Sequence, residues 1–127
     1  MTRRNVANGV PEPCPIRDVL DHIGDRWSLL VLWSLADGTL RFTELKRSIG
    51  DISQRVLAQT LRRLEQDGFV LREIYPTVPP RVDYSLTDMG RSFLRPMNGL
   101  IDWADEYQAK IRQARTRYAG MKRNLPA

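Results

Sequence analysis

The sequence predicts a mainly α fold with one small β-hairpin: a winged helix-turn-helix domain with N- and C-terminal dimerisation helices. Three observations carry that prediction. Two helical segments are joined by Gly50-Asp51-Ile52, a turn of helix-turn-helix length. Two alternating segments follow them directly, separated by a proline-rich loop, and read as a hairpin. The C-terminal third carries apolar residues at alternating intervals of four and three, the spacing of a helix-to-helix seam. With 127 residues, the chain is long enough for one domain whose core needs no disulfide or metal.

The elements follow in order. Residues 1–13 are polar, carry Gly9, Pro11 and Pro13, and predict a flexible arm. Residues 14–118 form the domain. Pro15 suits the first turn of a helix ending near Ile23. Asp25 reads as the N-cap of a helix from about Arg26 to Ala36, stopped by Asp37-Gly38. That helix is apolar on nearly every side, which predicts a buried central helix. Leu40-Arg41-Phe42 reads as a short strand. Thr43 then caps a helix over Glu44 to Ile49, ended by Gly50. Ser53 caps the next, Gln54 to Gln66, ended at Asp67-Gly68, so that the helix-turn-helix spans 43–67.

Phe69 to Tyr75 and Arg81 to Leu86 pair as a wing over 69–86, stiffened at its tip by Pro76, Pro79 and Pro80. Thr87 caps a long helix running to about Tyr118, in which Pro96 and Gly99 predict a kink or a later effective start. Residues 119–127 read as a basic tail.

Charge placement narrows the function. The net charge is +5, which alone says little. Residues 41–63 hold six basic and two acidic residues, and residues 107–127 hold six basic and none acidic. The remainder of the chain is therefore acidic. At about 100° per residue, Val56, Leu57, Thr60, Leu61 and Leu64 fall on one side of the 54–66 helix. Arg55, Gln59, Arg62 and Gln66 fall on the other, with Gln54 and Arg63 at the flanks. Arginine forks to guanine and glutamine to adenine, while Ser53 at the helix start suits a phosphate. Arg72 and Arg81 are the candidate phosphate contacts of the wing. The plain alternative is a solvated helix face, and two features favour duplex DNA: the outer face carries no acid, and a hairpin follows where a wing belongs.

The long helix places Phe93, Met97, Leu100, Ala104, Tyr107 and Ile111 in one stripe, with Trp103 beside it. Such a stripe outruns a small domain, and a second copy is the simplest partner. Other classes fit poorly. A single Cys rules out an internal disulfide framework and a multi-Cys metal site, and a single His rules out two-His metal motifs. Phosphate-binding glycine loops are absent, and His22 stands among Asp18, Asp21 and Asp25 without a nucleophile motif. The expectation is a non-enzyme with no cofactor and no metal. The longest apolar run, Leu29 to Trp33, is too short to span a membrane, and a cytoplasmic location follows as the default. The rival class is a winged-helix protein-interaction module without specific DNA binding, since the fold serves both; the basic face of 54–66 discriminates against it.

The chain also resembles the HxlR-type transcriptional regulators, small winged-helix proteins of bacteria related to the MarR type. The matching stretches are Cys14-Pro15, Ile23-Gly24-Asp25-Arg26-Trp27, Arg41-Phe42-Thr43-Glu44-Leu45 and Ile52-Ser53-Gln54-Arg55-Val56-Leu57. They continue with Leu61-Arg62-Arg63-Leu64-Glu65-Gln66-Asp67-Gly68, Tyr84-Ser85-Leu86-Thr87 and Trp103. The resemblance covers about Cys14 to Tyr107. It implies a homodimer on a roughly palindromic operator, repressing in many members and activating in some, with the recognition helix on Ser53 to Gln66. It says little of the basic segment after Tyr107. Some members sense oxidants or electrophiles through a Cys in the position of Cys14. A helix start can stabilise a thiolate; Arg17 would help, while Asp18 and Asp21 would hinder. With one Cys per chain, oxidation yields an intersubunit disulfide or a mixed disulfide with a small thiol. The alternative for Cys14 is a small apolar residue packing an interface.

Overall fold

The structure is a computed structural model that describes residues 14–124. The expected arm, 1–13, and the last three residues of the tail lie outside the described residues. The chain divides after Leu94 into two compact units.

The first unit holds helix α1 (Pro15–Ile23), α2 (Ser28–Ser34), strand β1 (Leu40–Arg41), α3 (Phe42–Ile49), α4 (Gln54–Gln66), β2 (Val70–Tyr75), β3 (Arg81–Leu86) and α5 (Asp88–Ser92). The strands form one antiparallel sheet in the order β1-β3-β2. Arg72 lies opposite Tyr84, and Tyr75 opposite Arg81. Val31, Leu32, Leu35, Leu45, Ile52, Leu57, Leu61, Leu64, Val70 and Leu86 are buried, so the core gathers α2, α3, α4 and the base of the wing. Leu57, Leu61 and Leu64 recur at helical spacing and fix the rotation of α4 about its axis. Thr60, also buried, donates its hydroxyl to the Val56 carbonyl at 2.8 Å, which satisfies the one polar group on that face.

Two helix starts differ from expectation. α2 is shorter at both ends, and its N-cap is Trp27 rather than Asp25. Asp25, two residues earlier, still ties down the helix start: its carboxylate accepts from the backbone N–H of Trp27 (3.1 Å) and Ser28 (3.3 Å) and from the Ser28 hydroxyl. Nor is α2 buried all round. Trp33 is 51% exposed and Leu30 37%, and on α1 Ile16 and Leu20 are more than half exposed. These residues are apolar surface that the other described residues leave exposed. α3 begins at Phe42, so Thr43 lies inside the helix rather than at its cap. Glu44 does the capping instead, accepting the Arg41 N–H at 2.8 Å, and this shortens β1 to two residues.

Burial pushes the Asp25 carboxyl up, but the hydrogen bonds from Ser28 and Trp27 and the Arg63 guanidinium outweigh it and hold the group below the usual carboxylate value. A depressed native pKa contributes stability that is present above the unfolded value and lost as pH falls through the native one. Asp25→Ala is therefore expected to lower stability at neutral pH by about 1 kcal/mol and to flatten the loss of stability below about pH 4. Urea unfolding at several pH values measures both, and equal stability of the two proteins at pH 7 contradicts the assignment.

The expected long final helix starts later than its apparent cap. Thr87 does cap, with its hydroxyl oxygen accepting from the Gly90 N–H at 3.0 Å, but the helix it opens is α5, five residues long. A Cβ on Gly90 would collide with the Phe69 carbonyl, so glycine lets α5 close against the start of the wing. Phe93 packs edge-on against Phe69, with ring centroids 6.3 Å apart. Helix α6 (Leu94–Asn124) then begins, and from Arg95 onward it belongs to the second unit. Pro96 falls at its third position, where no N–H is needed; in a helix running on from Asp88 it would break a backbone bond. α6 continues six residues past the expected end at Tyr118, into what reads as the basic tail.

Candidate nucleic-acid interface

The α4 start is built by Ser53, whose hydroxyl oxygen accepts the Val56 N–H at 3.1 Å. The Gln54 and Arg55 N–H groups precede the first intrahelical bond and point out of the helix end, a favourable place for an anion. With Leu57, Thr60, Leu61 and Leu64 turned inward, Gln54, Arg55, Gln59, Arg62 and Gln66 are all exposed.

The arginines expected to meet DNA fall into two sets. Among the described residues, Arg55 and Arg62 form no ion pair. The others are engaged. Arg63 reaches Asp25 at 3.3 Å, tying α4 to the start of α2. Arg72 reaches Glu65 at 3.4 Å, tying β2 to α4. Arg81 grips the buried Asp83 through two bonds of 3.0 and 2.9 Å and lies over the Tyr75 ring. The Arg81 hydrogen bonds hold the Asp83 carboxyl below its ordinary value. The last pair is i, i+2 on one strand, and alternation alone could have suggested it.

Other groups beside this face were missed as contacts. Thr43, Lys46 and Arg47 of α3 line a shallow depression next to Gly50. Tyr84 borders a groove between α4 and the wing together with Arg62, Glu65 and Arg72. The positive charge of 41–63 includes the two α3 cations, but a short helix shows no clear outer face in the sequence before its packing is known.

The remaining candidates are placed as follows. Cys14 is half-buried at the N-cap of α1, and its carbonyl accepts the Asp18 N–H at 2.9 Å. His22 faces Asp67 at 3.2 Å and Asp18 at 3.8 Å, and so links α1 to the end of α4. Among the described residues no cluster of His, Cys, Asp and Glu could hold a metal.

Of the stripe residues, Phe93 sits between α5 and α6 and Met97 is buried. Leu100, Trp103, Ala104 and Ile111 are exposed, and Trp103 stacks on the half-buried Tyr107 with centroids 5.1 Å apart. The stripe runs on through Tyr118 and Met121, both exposed, and the cations Lys110, Arg112, Arg115, Arg117 and Lys122 are exposed as well.

The profile of the HxlR-like helix-turn-helix family matches residues 22–112. The chain belongs to that family. YtfH of Escherichia coli (strain K12), an HTH-type transcriptional regulator, is 49% identical over 99 residues, covering 78% of this chain and 79% of YtfH. YdeP of Bacillus subtilis (strain 168), another HTH-type regulator, is 42% identical over 100 residues, or 79% and 78% of the two chains. Among solved structures, the redox regulator HypR in its reduced form superposes with a TM-score of 0.75 at 37% identity, covering 79% of this chain and 99% of HypR. Diamide-treated YodB from B. subtilis superposes with a TM-score of 0.64 at 35% identity, covering 75% and 95%.

This HxlR-like chain is therefore a DNA-binding transcriptional regulator with a winged helix-turn-helix. The family is a non-enzymatic class. Among the described residues no helix is long and apolar enough to cross a membrane.

Proposed function

We propose that the protein is a homodimeric cytoplasmic repressor that reads a palindromic operator with α4. One observation carries the reading: among the described residues, Arg55 and Arg62 stand on the exposed face of α4 with Gln59 and form no ion pair, while Arg63, Arg72 and Arg81 each do. Arg55 and Gln59, in the N-terminal half of the helix, suit the edges of guanine and adenine. The exposed stripe of α6 and the apolar residues left uncovered on α1 and α2 supply surface for a second copy. A two-fold dimer sets its recognition helices about 34 Å apart, one turn of duplex. The cations of α6 add sequence-independent attraction that salt weakens.

Selection of bound sequences from random duplex DNA tests this directly. An enriched inverted repeat is the expected result. No enrichment would favour the protein-interaction module instead.

A redox-responsive version is favoured by Cys14, the sole thiol, half-buried at a helix start and present twice in a dimer. HypR and YodB, both structurally similar, are a redox regulator and a protein studied after diamide treatment. Diamide is expected to weaken operator binding by the wild type and to leave Cys14→Ser unaffected. If diamide modifies Cys14 and binding does not change, the thiol is a packing residue.

A further inference from the structure

We propose that the groove between α4 and the wing seats one backbone phosphate of duplex DNA, held by Arg62, Arg72 and the Tyr84 hydroxyl. The proposal rests on the DNA-binding reading above and assigns a task within it. Arg72 and Tyr84 are directly opposed on β2 and β3, so their side chains rise from the same face of the sheet. Across from them α4 supplies Ala58, Leu61, Arg62 and Glu65, which close a groove of about 410 Å³. Ala58 and Leu61 supply its apolar lining, and Arg62, Glu65, Arg72 and Tyr84 its polar lining.

The charges suit a phosphodiester. Two guanidiniums and one carboxylate leave a single positive charge for a single negative one. Burial pushes the Tyr84 phenol up, and the neighbouring Arg72 and Arg62 guanidiniums only partly offset this. The hydroxyl therefore stays protonated and remains a donor. Glu65 touches Arg72 at 3.4 Å and acts as a positioning residue: it holds the guanidinium at the groove before DNA arrives, which reduces the ordering cost of binding. Arg81 cannot take this role, since Asp83 already occupies both arms of its fork. A phosphate seated here contacts the recognition helix and the wing at once, and so fixes the depth and register at which α4 lies in the groove of the duplex.

The test uses the full chain, a labelled random-sequence duplex and a salt series. No operator is needed. Arg72→Gln is expected to make log Kd less steep in log salt by about 0.9 per bound chain. Tyr84→Phe is expected to weaken binding by about tenfold with the slope unchanged, because the lost group is neutral. The double variant should fall short of the product of the two single effects, since both act on one phosphate. Wild-type protein that binds no duplex sinks the DNA reading itself. Wild-type binding with both variants unaltered overturns only the phosphate site. So do single effects that multiply independently, or a Tyr84→Phe loss that tracks a lowered unfolding midpoint, which marks a structural role.

Discussion

Arg55→Ala combined with Gln59→Ala is expected to abolish sequence-specific binding and leave sequence-independent binding in place. Each bidentate base contact discriminates by about 1–3 kcal/mol. Two such residues acting in two half-sites therefore carry about 4–12 kcal/mol, which spans the usual gap of about 4–10 kcal/mol between specific and non-specific DNA binding. Removing them should bring operator and random duplex to the same affinity. Both side chains are exposed, and Arg55 makes no ion pair among the described residues, so the unfolding midpoint should stay put. Arg63→Ala provides the contrast. Its guanidinium braces Asp25 at 3.3 Å, so its loss should register in stability while discrimination between sequences is largely retained. Competition gel shifts on a selected operator, alongside thermal unfolding, separate the two outcomes. A double variant that still prefers the operator shows that bases are read from elsewhere.

How much of this was legible in the sequence depends on the range of the interactions. The boundaries of α4 were legible because they are local: Ser53 bonds within its own first turn, and the helix stops at Asp67-Gly68. β3 was legible from alternation. The errors arose where a local signal had two readings. Thr87 caps a helix, but only α5, since Pro96 has no N–H to carry the helix through and Phe93 turns in against Phe69. The apolar residues of α2 suggested burial on every side, yet Trp33 and Leu30 face out, and periodicity does not distinguish a core from a surface meant for another molecule. The cations after Tyr107 read as a tail, yet Tyr118 and Met121 among them continue the stripe along α6. Partnering was the least visible layer. Asp25 with Arg63, Glu65 with Arg72 and the groove around Tyr84 bring together residues from different elements, and only folding decides which arginines remain available.

Leu100→Asp combined with Ile111→Asp is expected to yield a monomer that binds the operator about a hundredfold to ten-thousandfold more weakly. α6 has 31 residues and a length of about 46 Å at 1.5 Å per residue. Leu100 at 52%, Trp103 at 51%, Tyr118 at 66% and Met121 at 60% lie exposed on one stripe of it. In the proposed dimer the two substitutions place four carboxylates in an apolar seam. Each unpaired buried charge costs about 3–5 kcal/mol, and together they exceed the roughly 8 kcal/mol of a micromolar dimer. The helix itself should persist, because both positions are exposed in one chain and a helix surface tolerates aspartate at a cost of well under about 1 kcal/mol. Separated chains must engage the half-sites independently, and the gain from tethering two recognition helices disappears. Analytical ultracentrifugation gives the mass, circular dichroism the helicity, and a gel shift the affinity. A variant that keeps twice the chain mass moves the interface to another surface, for which the exposed apolar residues of α1 and α2 are the next candidates. A wild-type protein that is already monomeric at micromolar concentration removes the dimer from the mechanism.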